Sequence, residues 1–276
     1  MRRLLIRPGG IGDVITSLPA LESLRSGYTE VWVPTALRPL VRFADRVESI
    51  ADTGLDGFGI PDREPSPGLI ERLAGFDSIV SWYGEAREEF RAAVEARGLP
   101  FQFFPALPRM DGALHAVDYF LAHARQSGGR IVEPIPRIGC PGGRRDFGVI
   151  HPFSGSARKN WPLTRFRELA DVLDSRIPVA WCAGPEEALE GAVRFDDLYE
   201  LACWLASARI YVGNDSGITH LAAAVGTPVV ALFGVTNPRV WAPRGPRVRV
   251  VAAESMEDIQ PNAVLDAINE IQRMPA

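Results

Sequence analysis

Short apolar runs alternate with amphipathic helical patterns along most of the chain, and one stretch rich in glycine and proline interrupts this alternation near the middle. Such an alternation is typical of β-α-β units, in which parallel strands form a sheet covered by helices. The sequence therefore predicts the α/β class. Residues 128–143 (GGRIVEPIPRIGCPGG) show no hydrophobic periodicity, and we interpret them as a linker between two α/β domains.

The predicted domains comprise residues 1–135 and 144–258, and a last helix is predicted over residues 261–273. In the first domain the pattern predicts a loop at 53–68, strands at 3–7, near 31, at 47–50, 78–82 and 101–104, and helices at 13–25, 37–44, 85–97 and 112–126. In the second domain it predicts strands at 147–151, 179–182, 209–212, 228–233 and 248–251, and helices at 164–174, 185–189, 197–206 and 217–225.

Composition excludes several classes of protein. Hydrophobic residues make up 46% and charged residues 23% of the 276 residues, which excludes a disordered chain. The net charge is −4 and neither half carries a basic excess, so no nucleic-acid partner is expected. Three cysteines without C-x-x-C spacing predict neither a disulfide framework nor a zinc site. No apolar run reaches the roughly 18 residues of a membrane span, which favours a cytoplasmic protein, at most peripheral to a membrane.

The first predicted strand ends in a glycine-rich turn that leads directly into a helix. The turn reads PGGIGD, with Gly9, Gly10 and Gly12 followed by Asp13. A turn of this kind leaves main-chain N–H groups free and lets a ligand approach closely. Asp13 is a candidate general base, because a carboxylate at a helix N-terminus is held in its ionised form. The alternative is a tight turn in which Asp13 only caps the helix.

A second candidate site follows the first strand of the second domain. The segment HPFSGSARKNWP (151–162) places Ser154, Gly155 and Ser156 ahead of Lys159, the only lysine among 30 basic residues. Small residues let the main chain approach a phosphate, hydroxyl groups donate hydrogen bonds to it, and a lysine supplies a compact positive charge. The segment therefore predicts a phosphate-binding loop. The alternative is a solvated basic loop.

A third candidate site is the segment GNDSGITHL (213–221), which lies between a predicted strand and a predicted helix. Ser216 and Gly217 are expected in the first turn of the helix, where N–H groups have no partner within the helix, and His220 lies one turn further along the same face. This arrangement directs a hydroxyl, main-chain donors and an imidazole at one anion. The alternatives are that Asp215 is a helix cap and His220 a core residue.

Together these segments resemble glycosyltransferase family nine, the heptosyltransferases that build the inner core of lipopolysaccharide. The resemblance is carried, in the family's order, by LIRPGGIGDVITSLPAL, SGSARKNWPLTRF and GNDSGITHLAAAVGTPVVALFG. It implies a GT-B architecture with two Rossmann-like domains whose parallel sheets face a central cleft. The acceptor would bind the N-terminal domain and the nucleotide-sugar donor the C-terminal one, and helix 261–273 would pack back on the first domain. The resemblance also implies inverting transfer without a metal or other cofactor.

The resemblance assigns roles to individual residues. Asp13 matches the family's proposed base. The phosphate-binding and donor-signature positions of the family match Ser154, Lys159, Asp215, Ser216, Gly217 and His220. Glu186 is similar to a glutamate that holds the donor ribose, and Glu187 is almost as well placed. The chain departs from the family at Gly155, where a second hydroxyl residue is common, and in an N-terminal half that is shorter than in most members.

The leading hypothesis is a bacterial glycosyltransferase that moves a heptose or related sugar from ADP-heptose to a lipopolysaccharide-core or other glycan or glycolipid acceptor. Its partners would be the nucleotide-sugar donor, the acceptor and, peripherally, the inner membrane. Two alternatives stay open at this point. One is a nucleotide-sugar epimerase or hydrolase of the same fold, and the other is a nucleotide-sugar-binding module without activity.

Overall fold

The computed structural model describes residues 1–60, 65–108, 114–143 and 145–274. The chain folds into two compact units, Met1–Arg109 with Ala116–Pro134, and Ile135–Ala276 with the short segment that ends at His115. The division falls inside the predicted linker. The linker's second half belongs to the second unit, where the Ile138 N–H donates to the Ala224 carbonyl (2.9 Å).

The first unit is built on a parallel five-stranded sheet with the order β3-β2-β1-β4-β5. Leu4, Leu5 and Ile6 are fully buried, because helices cover both faces of the sheet and its central strand is apolar on both sides. The strands are β1 (Arg2–Ile6), β2 (Tyr28–Val33), β3 (Arg46–Ser49), β4 (Ser78–Ser81) and β5 (Phe101–Phe103). The helices are α1 (Ile11–Ser23), α2 (Pro67–Ala74), α3 (Glu88–Glu95) and α4 (Ala116–Gln126).

The second unit is built on another parallel five-stranded sheet, with the order β10-β9-β8-β6-β7. Its strands are β6 (Gly148–His151), β7 (Val179–Trp181), β8 (Ile210–Asn214), β9 (Val229–Phe233) and β10 (Val248–Ala252). Its helices are α5 (Leu163–Asp174), α6 (Leu198–Ser207), α7 (Gly217–Ala224), α8 (Pro238–Trp241) and α9 (Pro261–Arg273). Two parallel α/β units therefore confirm the predicted fold class.

The last helix, α9, packs on the second unit, and its predicted packing back on the first unit stays a prediction. Val264, Ala267, Ile268 and Ile271 form its buried face and pack in one apolar cluster with residues of β6, β8 and α5. The side chain of Trp161, in the same cluster, donates to the Ile259 carbonyl just before α9 (3.0 Å). The apolar stripe of the helix is therefore used within the second unit.

Two predicted helices take other conformations. Residues 37–44 do not form an α-helix; Thr35–Leu40 is a 3-10 helix that contains Pro39, which has no N–H to donate within a helix. Residues 185–189 form a turn and not a helix. The Glu187 carboxylate accepts a hydrogen bond from the Gly184 N–H (2.6 Å), which stabilises the turn.

Other boundaries in the first unit also differ from the pattern. The predicted loop at 53–68 contains a short 3-10 helix, Leu55–Gly57, and ends in α2, whose N-terminus is capped by Ser66. The predicted helix at 85–97 is the shorter α3. Residues 61–64 of that loop and residues 112–113 of the predicted helix at 112–126 lie outside the described residues.

In each sheet there is one pair of adjacent strands whose following connections lead in opposite directions along the sheet, one to the left and one to the right. In the order β3-β2-β1-β4-β5 this pair is β1 and β4, and in the order β10-β9-β8-β6-β7 it is β6 and β8. Ligands of open α/β sheets bind outside the carboxyl ends of such strands. The glycine turn follows β1, and the other two candidate segments follow β6 and β8, so the topology places every candidate segment at one of these points.

A buried aromatic cluster fills the first unit between β4 and α4. The Trp82 indole N–H donates to His123 Nδ1 (3.1 Å), and the His123 ring stacks on Phe104 with centroids 4.5 Å apart. His123 is 8% exposed. Burial, and then the nearby Arg7 guanidinium, lower the pKa of His123 from 6.5 to about 4. The imidazole is therefore neutral in the folded protein at neutral pH and accepts the Trp82 hydrogen bond.

His123 makes the first unit sensitive to acid. Between pH about 6.5 and about 4, His123 binds a proton in the unfolded chain but not in the folded chain. The free energy of unfolding therefore falls as the pH falls through this window, by up to ~3 kcal/mol in total. His123→Gln keeps an acceptor for Trp82 and removes the titration. We expect its unfolding free energy, measured by urea titration at pH 7, 6, 5 and 4, to decline less steeply than that of wild type.

The matched control is Phe120→Leu, which loosens the packing of the same cluster against Trp82 without removing a titrating group. This variant should lower the unfolding free energy at every pH and keep the wild-type slope. Equal slopes in wild type and His123→Gln would contradict the assignment.

Candidate functional site

The glycine turn after β1 holds Asp13 in a defined position. Gly9 has φ +113°, and a Cβ there would lie 2.7 Å from the Cβ of Asp13, so only glycine fits. Gly10 is the N-cap of α1 and donates its N–H to Asp13 Oδ2 (2.8 Å), while Gly12 lies in the first turn of the helix. Asp13 therefore does cap the turn, through one carboxylate oxygen. Asp13 Oδ1 accepts no hydrogen bond from the part of the chain that the structure describes.

The loop after β6 is shaped by its own polar groups. Ser154 Oγ contacts the Ser156 carbonyl (2.8 Å) and Asn160 Oδ1 (2.7 Å), both of which are acceptors for its single hydrogen. Gly155 is exposed and a Cβ there would meet nothing within 4 Å, so no steric constraint requires glycine. Ser154 thus folds the loop rather than pointing its hydroxyl hydrogen outward. Lys159 ends a 3-10 helix, Ala157–Lys159, within this loop.

Lys159 forms an ion pair with the residue that follows β8. Its Nζ lies 2.7 Å from Asp215 Oδ2, and the Thr236 hydroxyl donates to the same oxygen (2.5 Å). The Asp215 side chain is 9% exposed and that of Lys159 31%, so the carboxylate is the inner member of the pair. Thr236 lies in the loop after β9. Three loops at the carboxyl edge of the sheet therefore meet at one carboxylate oxygen.

Asn214 fixes both ends of the Lys159 loop to β8. Its side-chain Nδ2 donates to the Pro152 carbonyl (2.8 Å), and its Oδ1 accepts the Trp161 N–H (3.0 Å). The side chain is fully buried. A buried amide with both ends satisfied specifies one arrangement of the chain. Asn214 therefore sets where the loop, and with it Lys159, stands relative to Asp215.

The N-terminus of α7 is organised by a buried hydroxyl network. Ser216 is the N-cap and accepts the Thr219 N–H (3.3 Å). The Thr219 hydroxyl donates its only hydrogen to the Asn214 carbonyl. The hydroxyl oxygens of Tyr211 and Ser216 each lie 3.1 Å from Thr219 Oγ1, so both hydroxyl groups must donate to Thr219 Oγ1. The Ser216 hydroxyl hydrogen is thus directed inward. Ser216 orients the helix end instead of offering its proton to a ligand.

The main-chain donors of α7 remain available at that end. Among the described residues, the N–H groups of Gly217 and Ile218 have no hydrogen-bond partner, as expected at a helix start. These groups and the partial positive charge of the helix N-terminus favour an anion. His220 is predicted to face the same anion. It is 5% exposed in α7, and its main-chain N–H donates to the Ser216 carbonyl.

The two neighbouring glutamates after β7 differ in environment. Glu186 is exposed. The Glu187 carboxylate accepts from the Gly184 N–H (2.6 Å) and lies 3.4 Å from His151 Nε2. Burial alone would raise the pKa of Glu187, but the hydrogen bonds from His151 and Gly184 outweigh burial and hold that pKa below its ordinary value. Glu187 is therefore an ionised anchor of the turn, and Glu186 is the glutamate free to meet a ligand.

Sequence reasoning missed two polar residues of this site, Asn214 and Thr236. Asn214 stands within the third segment, where its position at the end of a buried strand was a usable signal. Thr236 gave no signal, because its partner Asp215 is 21 residues away in the chain. Among the described residues, no group of three or more His, Cys, Asp and Glu side chains could hold a metal ion. Nor does any described helix combine the length and apolar character needed to cross a membrane.

The chain is similar in sequence to known proteins. The model of glycosyltransferase family 9 (heptosyltransferase) matches residues 123–265. Lipopolysaccharide heptosyltransferase 1 of Pseudomonas aeruginosa is 37% identical over 86% of this chain and 80% of that protein.

Solved structures share the fold. A glycosyl transferase family 9 protein from Veillonella parvula has a TM-score of 0.78 at 17% identity, over 98% of this chain and 96% of that chain. E. coli heptosyltransferase WaaC, solved with ADP, has a TM-score of 0.75 at 21% identity, over 98% of this chain and 100% of that chain. WaaC has also been solved with ADP-2-deoxy-2-fluoro heptose. These likenesses show the GT-B fold with its two Rossmann-like domains. The chain therefore belongs to glycosyltransferase family 9, the heptosyltransferases of lipopolysaccharide-core synthesis, and is a glycosyltransferase.

Proposed function

We propose that the protein transfers a heptose, or a closely related sugar, from ADP-heptose to a hydroxyl of a lipopolysaccharide-core or other glycan acceptor, with inversion and without a metal ion or other cofactor. The observation that carries the proposal is the convergence of Lys159 and the unpartnered N–H groups of α7 at the carboxyl ends of β6 and β8. A cation and free main-chain donors at one point suit a diphosphate. WaaC, solved with ADP, supports the choice of nucleotide.

In this proposal the second unit holds the donor. The diphosphate lies against Gly217 and the start of α7, with the Lys159 ammonium beside it, and the ribose lies near the exposed Glu186. Negative charge grows on the diphosphate as the bond to the sugar breaks, and preorganised donors stabilise that charge without rearranging. Asp215 and Thr236 keep Lys159 in place, and His220 supports the helix end. Ser154, Gly155 and Ser156 give the loop its shape.

The first unit supplies the base. Asp13 Oδ1 takes the proton of the acceptor hydroxyl while the acceptor oxygen forms its bond to the anomeric carbon. The bond from that carbon to the diphosphate oxygen breaks, and ADP leaves with the electron pair. A single displacement of this kind inverts the anomeric centre. The glycine turn, with Gly9, Gly10 and Gly12, leaves space for the acceptor beside the carboxylate.

A transfer assay tests the proposal directly. Purified protein is incubated with ADP-heptose and a core-glycan acceptor, and the products are followed by mass spectrometry and their anomeric configuration by NMR. We expect an acceptor heavier by one heptose, with inverted configuration, and the same rate in EDTA. Free heptose or an isomerised donor without a transfer product would favour the hydrolase or epimerase instead. A glycolipid acceptor would bring the enzyme to the cytoplasmic side of the inner membrane, so the assay includes acceptor embedded in vesicles.

Lys159→Ala should weaken ADP binding by ~10–150-fold, corresponding to the ~1.5–3 kcal/mol of a hydrogen bond to a charged group. Isothermal titration with ADP and with inorganic diphosphate measures the effect, and both ligands should lose affinity. Arg158→Ala, an exposed cation next to it, is the control and should change little. Glu186→Gln should weaken the binding of ADP but not of inorganic diphosphate, because Glu186 is proposed to lie near the ribose. Unchanged ADP affinity in Lys159→Ala would remove Lys159 from the donor site.

Ser216→Ala should lower ADP affinity about tenfold, because the α7 N-terminus loses the cap that orients its free N–H groups. The matched control is Ser66→Ala, which removes the equivalent cap of α2 in the first unit. Both variants should lose about 1 kcal/mol of stability or slightly more. Only Ser216→Ala should affect ADP binding; equal ADP affinity in the two variants would contradict the assignment.

Asp13→Asn should reduce turnover by ~10²–10⁴-fold, the contribution of a positioned base, while ADP affinity stays at the wild-type value. The amide keeps the size of the side chain and an oxygen for the Gly10 N–H. Asp197→Asn, which alters the carboxylate cap of α6, is the control and should keep full turnover. If Asp13 is only a cap, Asp13→Asn will show a lower melting temperature and a turnover within about threefold of wild type.

A further inference from the structure

Arg7 is a fully buried arginine immediately after β1, at the point of the first sheet where ligands are expected. Its guanidinium has no carboxylate within ion-pair distance among the described residues. Burying an unpaired cation is costly, and a fold retains one only where its surroundings compensate for the lost water. The contacts of Arg7 therefore indicate what it does.

All hydrogen bonds of Arg7 go to main-chain carbonyls. Nη1 donates to Pro8 (2.8 Å) and Ala106 (3.2 Å), and Nη2 donates to Asp13 (2.9 Å). The guanidinium also lies 4.4 Å from the centre of the Phe120 ring. Pro8 and Asp13 are the two ends of the glycine turn, and Ala106 belongs to the segment after β5. One side chain thus ties the turn at both ends to a neighbouring segment.

The charge of Arg7 also reaches its neighbours. Burial lowers the pKa of Arg7 to about 10, and the opposite charge of Asp13 acts against this lowering. Arg7 is therefore still a cation at neutral pH, and the carboxylate of Asp13 lies within its field. Asp13 is held by Arg7 at its carbonyl and by the Gly10 N–H at its carboxylate.

We propose that Arg7 is a positioning residue for the transfer step: it fixes the main chain at both ends of the glycine turn and so presents the Asp13 carboxylate to the acceptor hydroxyl. This inference rests on the proposed role of Asp13 as the base. Arg7 does not touch the substrate, because it is fully buried. Its effect on catalysis runs through Asp13.

Arg3 provides a matched control on the same strand. It is 6% exposed and donates to the carbonyls of Leu24 (3.0 Å) and Ser127 (3.1 Å), so it too is a buried arginine that binds main-chain oxygens. Arg3 lies at the other end of β1 from the glycine turn. Its substitution should affect stability without acting through Asp13.

The experiment compares Arg7→Met, Arg7→Lys, Arg3→Met, Arg3→Lys, Asp13→Asn and the double variant Arg7→Met/Asp13→Asn for turnover, ADP affinity and melting temperature. We expect Arg7→Met to lower kcat at least 30-fold with ADP affinity within twofold of wild type, and Arg7→Lys, which keeps the charge, to recover part of that loss. Arg3→Met should lower the melting temperature but leave kcat within threefold. In the Asp13→Asn background, Arg7→Met should change kcat less than threefold, since the group it positions is no longer a base.

Three results would overturn the proposal. The first is wild-type kcat in both Arg7 variants. The second is a full additional loss in the double variant, which would mean that Arg7 acts independently of Asp13. The third is failure of both Arg7 variants to fold while both Arg3 variants fold, which would make Arg7 a requirement of the fold alone. Wild-type turnover in Asp13→Asn would instead refute the role of Asp13 as the base. That result comes from the Asp13→Asn single variant, whereas the Arg7 single variants test whether Arg7 affects turnover at all.

Discussion

The candidate sites of this protein depend on where the connections between parallel strands leave the sheet. Where the connection after one strand runs to one side and the connection after its neighbour runs to the other, neither connection covers the carboxyl ends of the two strands. Polar groups can be placed there without filling the space with helix or loop. In the first sheet that place receives the glycine turn after β1, and in the second it receives the loops after β6 and β8. The chemistry is therefore located by topology before any side chain is considered.

Side-chain hydrogen bonds then convert loops into fixed frames. Asn214 closes the Lys159 loop at both ends, and the hydroxyl network of Tyr211, Thr219 and Ser216 holds the start of α7. Neither frame uses a group that a ligand would need, since the amide and the hydroxyl hydrogens are satisfied inside the protein. The groups left over, Lys159 and the N–H groups of α7, are the ones suited to an anion. The residues that give rigid support are thus different from the groups suited to an anion.

Much of this could be read from the sequence, and the exceptions have physical causes. Buried parallel strands are continuous apolar runs, so the pattern locates β6, β8 and β9 within a residue or two, and the segments after β6 and β8 are predicted as sites. The amphipathic face of α9 was also visible, but periodicity does not say which sheet a face covers. Pro39 stands within the predicted helix at 37–44 and argues against an α-helix there, but a proline does not specify the 3-10 conformation that forms. The contacts of Arg7 with Ala106, 99 residues apart, and of Asp215 with Thr236 exist only once the chain is folded.

The contact just before α9 ties the C-terminal segment to the loop that carries Lys159. Trp161 donates its main-chain N–H to Asn214 and its indole N–H to the Ile259 carbonyl, while Arg165 binds the same carbonyl. A truncation after residue 258 would remove this carbonyl acceptor and uncover Trp161, which is 1% exposed. The damage would spread through Trp161 to Asn214 and the loop that carries Lys159. The conformation of the Lys159 loop therefore depends on the C-terminal segment, although no residue of α9 lies in that loop.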